Sequence, residues 1–110
     1  MARVDVTVVC SSVPRPSPGA SLIVQIRDTS LQDAPATVLG EARTTVTRGN
    51  DGLLARVLVS IPAITRHSTV WAHVDVDGDG RVSRGDYVTM QSYPLPPGPT
   101  IQVQVEVKAV

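Results

Sequence analysis

The stretch Asp75-Val76-Asp77-Gly78-Asp79-Gly80-Arg81-Val82-Ser83-Arg84-Gly85-Asp86 concentrates chemistry in this chain. It holds four of the ten carboxylates of a 110-residue sequence in twelve positions. The spacing is that of a calcium-binding loop. Such a loop needs oxygen side chains at its first, third and fifth places and a glycine at the sixth. A backbone carbonyl serves at the seventh, an oxygen or water at the ninth and a carboxylate at the twelfth. Those places hold Asp75, Asp77, Asp79, Gly80, Arg81 through its carbonyl, Ser83 and Asp86. Alternate residues of a tight turn converge on one point, and only Arg81 and Arg84 oppose the four acids. The deficit of two charges is one that a hard divalent cation relieves.

The closing residue is Asp rather than Glu, and in this the segment resembles a dockerin-type loop. Val74 and Tyr87-Val88-Thr89 read as strands, however, so a bound Ca2+ would be structural and would pin a hairpin. The loop has no second copy in the chain, which excludes a helix-opening calcium sensor. An unpaired loop of this kind binds with dissociation constants on the order of 10⁻⁵ to 10⁻³ M. The competing reading is a solvated Asp-Gly hairpin turn. A bare turn needs neither alternate acids nor a closing one, and crowded like charges repel.

Other candidates are poorer. His67 and His73 lack a third ligand at useful spacing and read as solvent-face histidines. Cys10 has no base placed beside it and reads as a small buried apolar residue. Trp71 reads as covering an edge of the core. No Gly-x-Ser-x-Gly elbow, paired acid and base, or phosphate-cradling glycine loop is present. An enzyme is therefore not expected.

Composition removes further classes. Ten Lys and Arg balance ten Asp and Glu, and aromatics are 3% with no Phe. Nucleic-acid binding, which needs a basic surplus or stacking platforms, is not expected. One cysteine cannot form an internal disulfide. No apolar run approaches the ~18 residues of a membrane span. The first residues do not read as a signal peptide. The expectation is a cytoplasmic protein as the sequence stands, or an envelope or secreted domain if a leader has been removed.

The elements that position the loop follow from a period of two. Ile101-Gln102-Val103-Gln104-Val105-Glu106-Val107-Lys108 alternates apolar and polar without a fault, as a strand with one buried face does. Val4, Val6 and Val8 repeat the pattern, as do Leu22, Val24 and Ile26. Leu53, Ala55, Val57, Val59 and Ile61 form another core-facing set. In Val70, Ala72, Val74 and Val76 the pattern leaves Trp71, His73 and Asp75 on the opposite face. Residues 36–47 and 86–92 read as weaker strands. Gly, Pro, Asn and Asp clusters separate these segments, and no stretch has helical spacing. The prediction is all-β: a single domain over 1–110, a small antiparallel β-sandwich of about seven strands, transthyretin- or immunoglobulin-like, with no long helix. The first and last strands are expected at sheet edges, giving a monomer or a weak edge-to-edge dimer. The proline-rich segments 14–18 and 94–99 are expected as rigid loops at one end.

Pro18-Gly19-Ala20-Ser21-Leu22-Ile23-Val24-Gln25-Ile26-Arg27-Asp28-Thr29-Ser30-Leu31-Gln32-Asp33-Ala34-Pro35 resembles the hallmark of the YbaY/YscW lipoprotein family. Val38-Leu39-Gly40-Glu41, Gly85-Asp86-Tyr87 and Ser92-Tyr93-Pro94-Leu95 extend the resemblance over residues 3 to 107. It implies a small β-sandwich without enzymatic activity, and some relatives are pilotins that escort a type III secretion secretin. In the hallmark, Asp28, Ser30 and Asp33 read as turn-capping residues. The combined reading is a non-enzymatic structural or interaction module with one Ca2+ loop at 75–86. The alternative is a pilotin-like chaperone that binds a segment of an envelope or secretion protein by adding a strand to an exposed sheet edge.

Overall fold

The computed structural model describes residues 1–30, 36–47 and 52–110. These residues form seven strands and no helix: β1 (Ala2–Val9), β2 (Ser21–Asp28), β3 (Thr37–Thr45), β4 (Leu53–Ile61), β5 (Ser68–Asp75), β6 (Tyr87–Thr89) and β7 (Thr100–Ala109). The alternation does what its period requires. Val4, Val6, Val8, Leu22, Val24, Ile26, Val70, Ala72 and Val74 are all buried in one core. Burying one such aliphatic side chain is worth about 1.5–3 kcal/mol, so many small contributions replace the missing phenylalanines. Two positions depart from the expected faces. Leu54 is buried while Leu53 is only half-buried, because the β1–β4 register shifts between Val8 and Val9. Val76 is exposed, because β5 ends at Asp75.

The strands join in one sheet in the order β3-β2-β5-β6-β7-β1-β4. Two expectations are corrected here. The sheet is not wholly antiparallel, since β1 and β7 run parallel from Arg3↔Thr100 to Val9↔Glu106. Nor are the first and last strands edges: β1 lies between β7 and β4, and β7 between β6 and β1. No hairpin links the first and last strands, so turn geometry does not force them antiparallel.

The sheet curls into a nearly closed, flattened barrel rather than a clear sandwich of two layers. Its extents are 35 × 30 × 19 Å, and the short dimension explains the likeness to a sandwich. β7 makes one corner by changing partner along its length. Residues 100–106 pair with β1, and Val107, Lys108 and Ala109 pair with β6. At the changeover Glu106 donates its N–H to the Tyr93 hydroxyl at 3.0 Å. Irregularities at Val8/Val9 and Ile26/Arg27 add bends.

The edge strands β3 and β4 then face each other. At one end of this seam Thr47 donates both its N–H and its hydroxyl to the Leu54 carbonyl, each at 2.8 Å. At the other, a Cβ on Gly40 would lie 2.7 Å from the Ser60 carbonyl oxygen, so only glycine permits this approach. No ladder joins β3 to β4 among the described residues.

The two proline segments sit at opposite ends of the barrel, not at one. Pro14 accepts a hydrogen bond from Tyr87, which pairs with Val74, whereas Pro94 bridges to Thr69 near the other end of β5. Residues 31–35, including Asp33, and the turn at 48–51 lie outside the described residues. Within them, Asp28 caps the end of β2 as its type suggests. It accepts the Ser30 N–H at 2.8 Å and the Thr65 hydroxyl at 2.7 Å.

Candidate functional site

β5 delivers the first carboxylate of the acidic loop and β6 follows the last. Asp75 ends β5, Asp86 immediately precedes β6, and the hairpin between them contains the remaining candidates. Asp75, Asp77, Asp79 and Asp86 each bring a carboxylate oxygen within 4.8 Å of the others. The loop amides hold them there. Asp75 accepts the N–H of Gly78 at 3.1 Å and of Gly80 at 2.8 Å, Gly80 adopting a φ of 78°. Asp77 accepts from Asp79 at 3.3 Å, and Asp79 from Arg81 at 2.9 Å. Arg81 thus joins the cluster through its N–H while its side chain is exposed. The Ser83 hydroxyl donates to Asp77 at 3.2 Å and to Asp86 at 3.4 Å.

Asp86 is the buried anchor of this hairpin. It accepts the N–H groups of Val76 at 2.9 Å and Ser83 at 3.2 Å, and it pairs with His73 Nε2 at 2.9 Å. Burial pushes the Asp86 carboxyl up, but the His73 hydrogen bond and the two amides together hold it below its ordinary value. Burial likewise raises the Asp77 carboxyl, and its hydrogen-bond partners outweigh that effect and lower it.

His73 corrects the solvent-face expectation, being 1% exposed. It lies on the outer face of β5, as its parity demands, but Asp86 at the foot of the acidic loop packs against it there. With Asp75 and Asp86 it makes a second group of closely spaced donors. The signal for its role is its i, i+2 relation to Asp75 on one strand face. Parity alone does not show that a loop covers that face. His67 is exposed as expected, and Cys10 is fully buried. Four carboxylates with a hydroxyl among them can hold a hard cation through oxygen, or remain a turn hydrogen-bonded by its own amides.

Two further surfaces are open. On β4, Arg56, Leu58 and Ser60 are exposed, Leu58 by 58%. Trp71 is half-buried and carries the Arg27 guanidinium, whose carbon lies 3.8 Å from the ring centroid. No helix among the described residues is long and apolar enough to cross a membrane.

Among solved structures, the chain is similar to an alternative pilotin from the type II secretion system of Vibrio cholerae. The TM-score is 0.73 at 22% identity, over 98% of this chain and 96% of that one. At that identity the likeness is one of fold. No curated protein matches in sequence. Residues 1–83, which span β1 to β5 and most of the acidic loop, match the type III secretion system lipoprotein chaperones. The chain belongs to that YscW family.

Proposed function

We propose that this protein is a pilotin-like, non-enzymatic chaperone that works at the cell envelope. It takes a segment of a secretion-system protein onto an unpaired sheet edge by strand addition. Membership of a family described as lipoprotein chaperones supports the role, as does a fold shared with a pilotin. The observation that carries the mode of binding is the seam between β3 and β4. Among the described residues no ladder joins the two strands between the Thr47–Leu54 hydrogen bonds at one end and the close Gly40–Ser60 approach at the other, so a segment that adds to either edge must part them there. A sheet edge offers main-chain hydrogen bonds to an extended segment, and alternate side chains such as Leu58 supply selectivity.

A photo-crosslinking residue placed at Leu58 in the living bacterium tests this, with the exposed Lys108 of β7 as control position. An adduct with a secretion-system protein from position 58, absent from 108, is expected. Leu58→Lys should abolish capture while leaving the melting temperature unchanged, since edge charge opposes strand pairing. Equal adducts at both positions, or capture undiminished by L58K, would remove strand addition at this edge.

A second reading concerns the hairpin at 75–86, whose four converging carboxylates support a structural Ca2+ site. Asp75, Asp77, Asp79 and Asp86 would hold the ion through carboxylate oxygen, with Ser83 and the Arg81 carbonyl completing the set. The ion would stiffen the β5–β6 hairpin rather than take part in any reaction.

A further inference from the structure

On the outer face of the sheet a groove of about 330 Å³ runs between the ends of β2 and β5 and the residues after β6. Arg27, Thr69, Trp71, Thr89, Met90 and Gln91 line most of it. Arg27 is the only charged residue among the lining residues, which include no acid. Arg43 and Arg56 each pair with a carboxylate, at 3.0 and 2.9 Å from Glu41 and Asp5. Arg27 has no such partner among the described residues. Its Nε donates to the neutral Gln25 Oε1 at 2.8 Å, and its guanidinium carbon sits over Trp71, 3.8 Å from the ring centroid. Burial lowers the Arg27 pKa, the mark of a partly dehydrated cation. Stacking on an indole offsets only part of that loss, whereas a carboxylate matches the guanidinium fork in charge and geometry.

The opposite wall suits a peptide. β6 stops at Thr89, and the chain rejoins β5 only at the Thr69↔Pro94 bridge. Met90, Gln91 and Ser92 leave the ladder between those points and line the groove. The strands on either side are served by hydroxyls. The Ala72 N–H donates to Thr89 Oγ1 at 3.3 Å and the Glu106 N–H to Tyr93. Met90 is 55% exposed, and a flexible thioether adapts to varied apolar side chains.

We propose that this groove is a docking site for a partner-protein segment carrying a carboxylate beside an apolar residue, with the carboxylate on Arg27 and the apolar side chain against Trp71 and Met90. This rests on the chaperone reading above and adds to it a contact, remote from the β4 edge, that selects for charge.

The test uses the full chain and a phage-displayed library of random dodecapeptides. Enriched peptides should carry Asp or Glu next to Leu, Ile, Val, Met or Phe. Synthesised singly, they should shift the emission of Trp71, the only tryptophan. Arg27→Gln should weaken binding at least tenfold with unchanged thermal unfolding. Arg27→Lys, which keeps the charge without the planar fork, should fall between. Replacing the peptide's acid by its amide should match the loss in R27Q. Peptides without acid preference, or binding R27Q within twofold of the wild type, would overturn the groove and leave segment capture standing. No enrichment would also overturn the groove, and the crosslink at Leu58 then decides the chaperone reading separately.

Discussion

His73 Nε2 lies 2.9 Å from Asp86 Oδ2, with both residues 1% exposed. This pair joins the C-terminal part of β5 to the residue that precedes β6, and so closes the base of the acidic loop. Removing one member of a buried pair leaves the other dehydrated and short of partners. Asp86→Ala should therefore cost about 3 kcal/mol in urea unfolding. His73→Gln, which can still donate to Asp86, should cost clearly less than His73→Ala. A loss below about 0.5 kcal/mol in D86A would show that the pair adds nothing to the fold.

Calcium is tested by thermal unfolding of chelator-stripped protein with and without millimolar Ca2+. Ligand at 100 times its dissociation constant adds about 2.7 kcal/mol, or several degrees for a domain of this size. The rise should vanish in Asp77→Ala, which removes the oxygen at the third place, and be much smaller with Mg2+, which demands a tighter octahedral shell. No rise in the wild type reduces the loop to an acidic hairpin turn.

Gly40 and Gly80 should fail for different reasons when changed to alanine. A Cβ at Gly40 meets the Ser60 carbonyl oxygen and Ile61 Cγ2, each at 2.7 Å. Relieving that contact means parting β3 from β4, at about 1–3 kcal/mol. A Cβ at Gly80 meets nothing within 4 Å, but its φ of 78° strains an L-residue by about 1–2 kcal/mol. Denaturation of the two variants gives the costs. Faster amide exchange in β3 and β4 should appear only in Gly40→Ala.

Tyr87 predicts behaviour in alkali. Its hydroxyl donates to the Pro14 carbonyl at 2.7 Å. Burial, and then the nearby Cys10, push its phenol above the ordinary value. The unfolded chain therefore loses this proton first, near pH ~10. Stability from this group is complete below that pH and declines as pH rises toward the raised folded value. Tyr87→Phe should cost about 1 kcal/mol at neutral pH and flatten the decline above pH 10. An identical alkaline profile in the variant would remove Tyr87 as its source.

Alternation and turn chemistry were enough to place the strands and most of the core. Val4, Val6 and Val8 must share one face whatever lies beside them, because successive strand residues point to opposite sides. The acids at 75, 77, 79 and 86 were also legible as a cluster, since spacing within one loop is a local property. Three features arose only in the tertiary structure. β1 lies parallel to β7, β3 faces β4 across a seam, and His73 is buried beneath Asp86. Each depends on which distant segment covers a given edge or face. A period of two specifies which residues point the same way, and leaves open what they meet there.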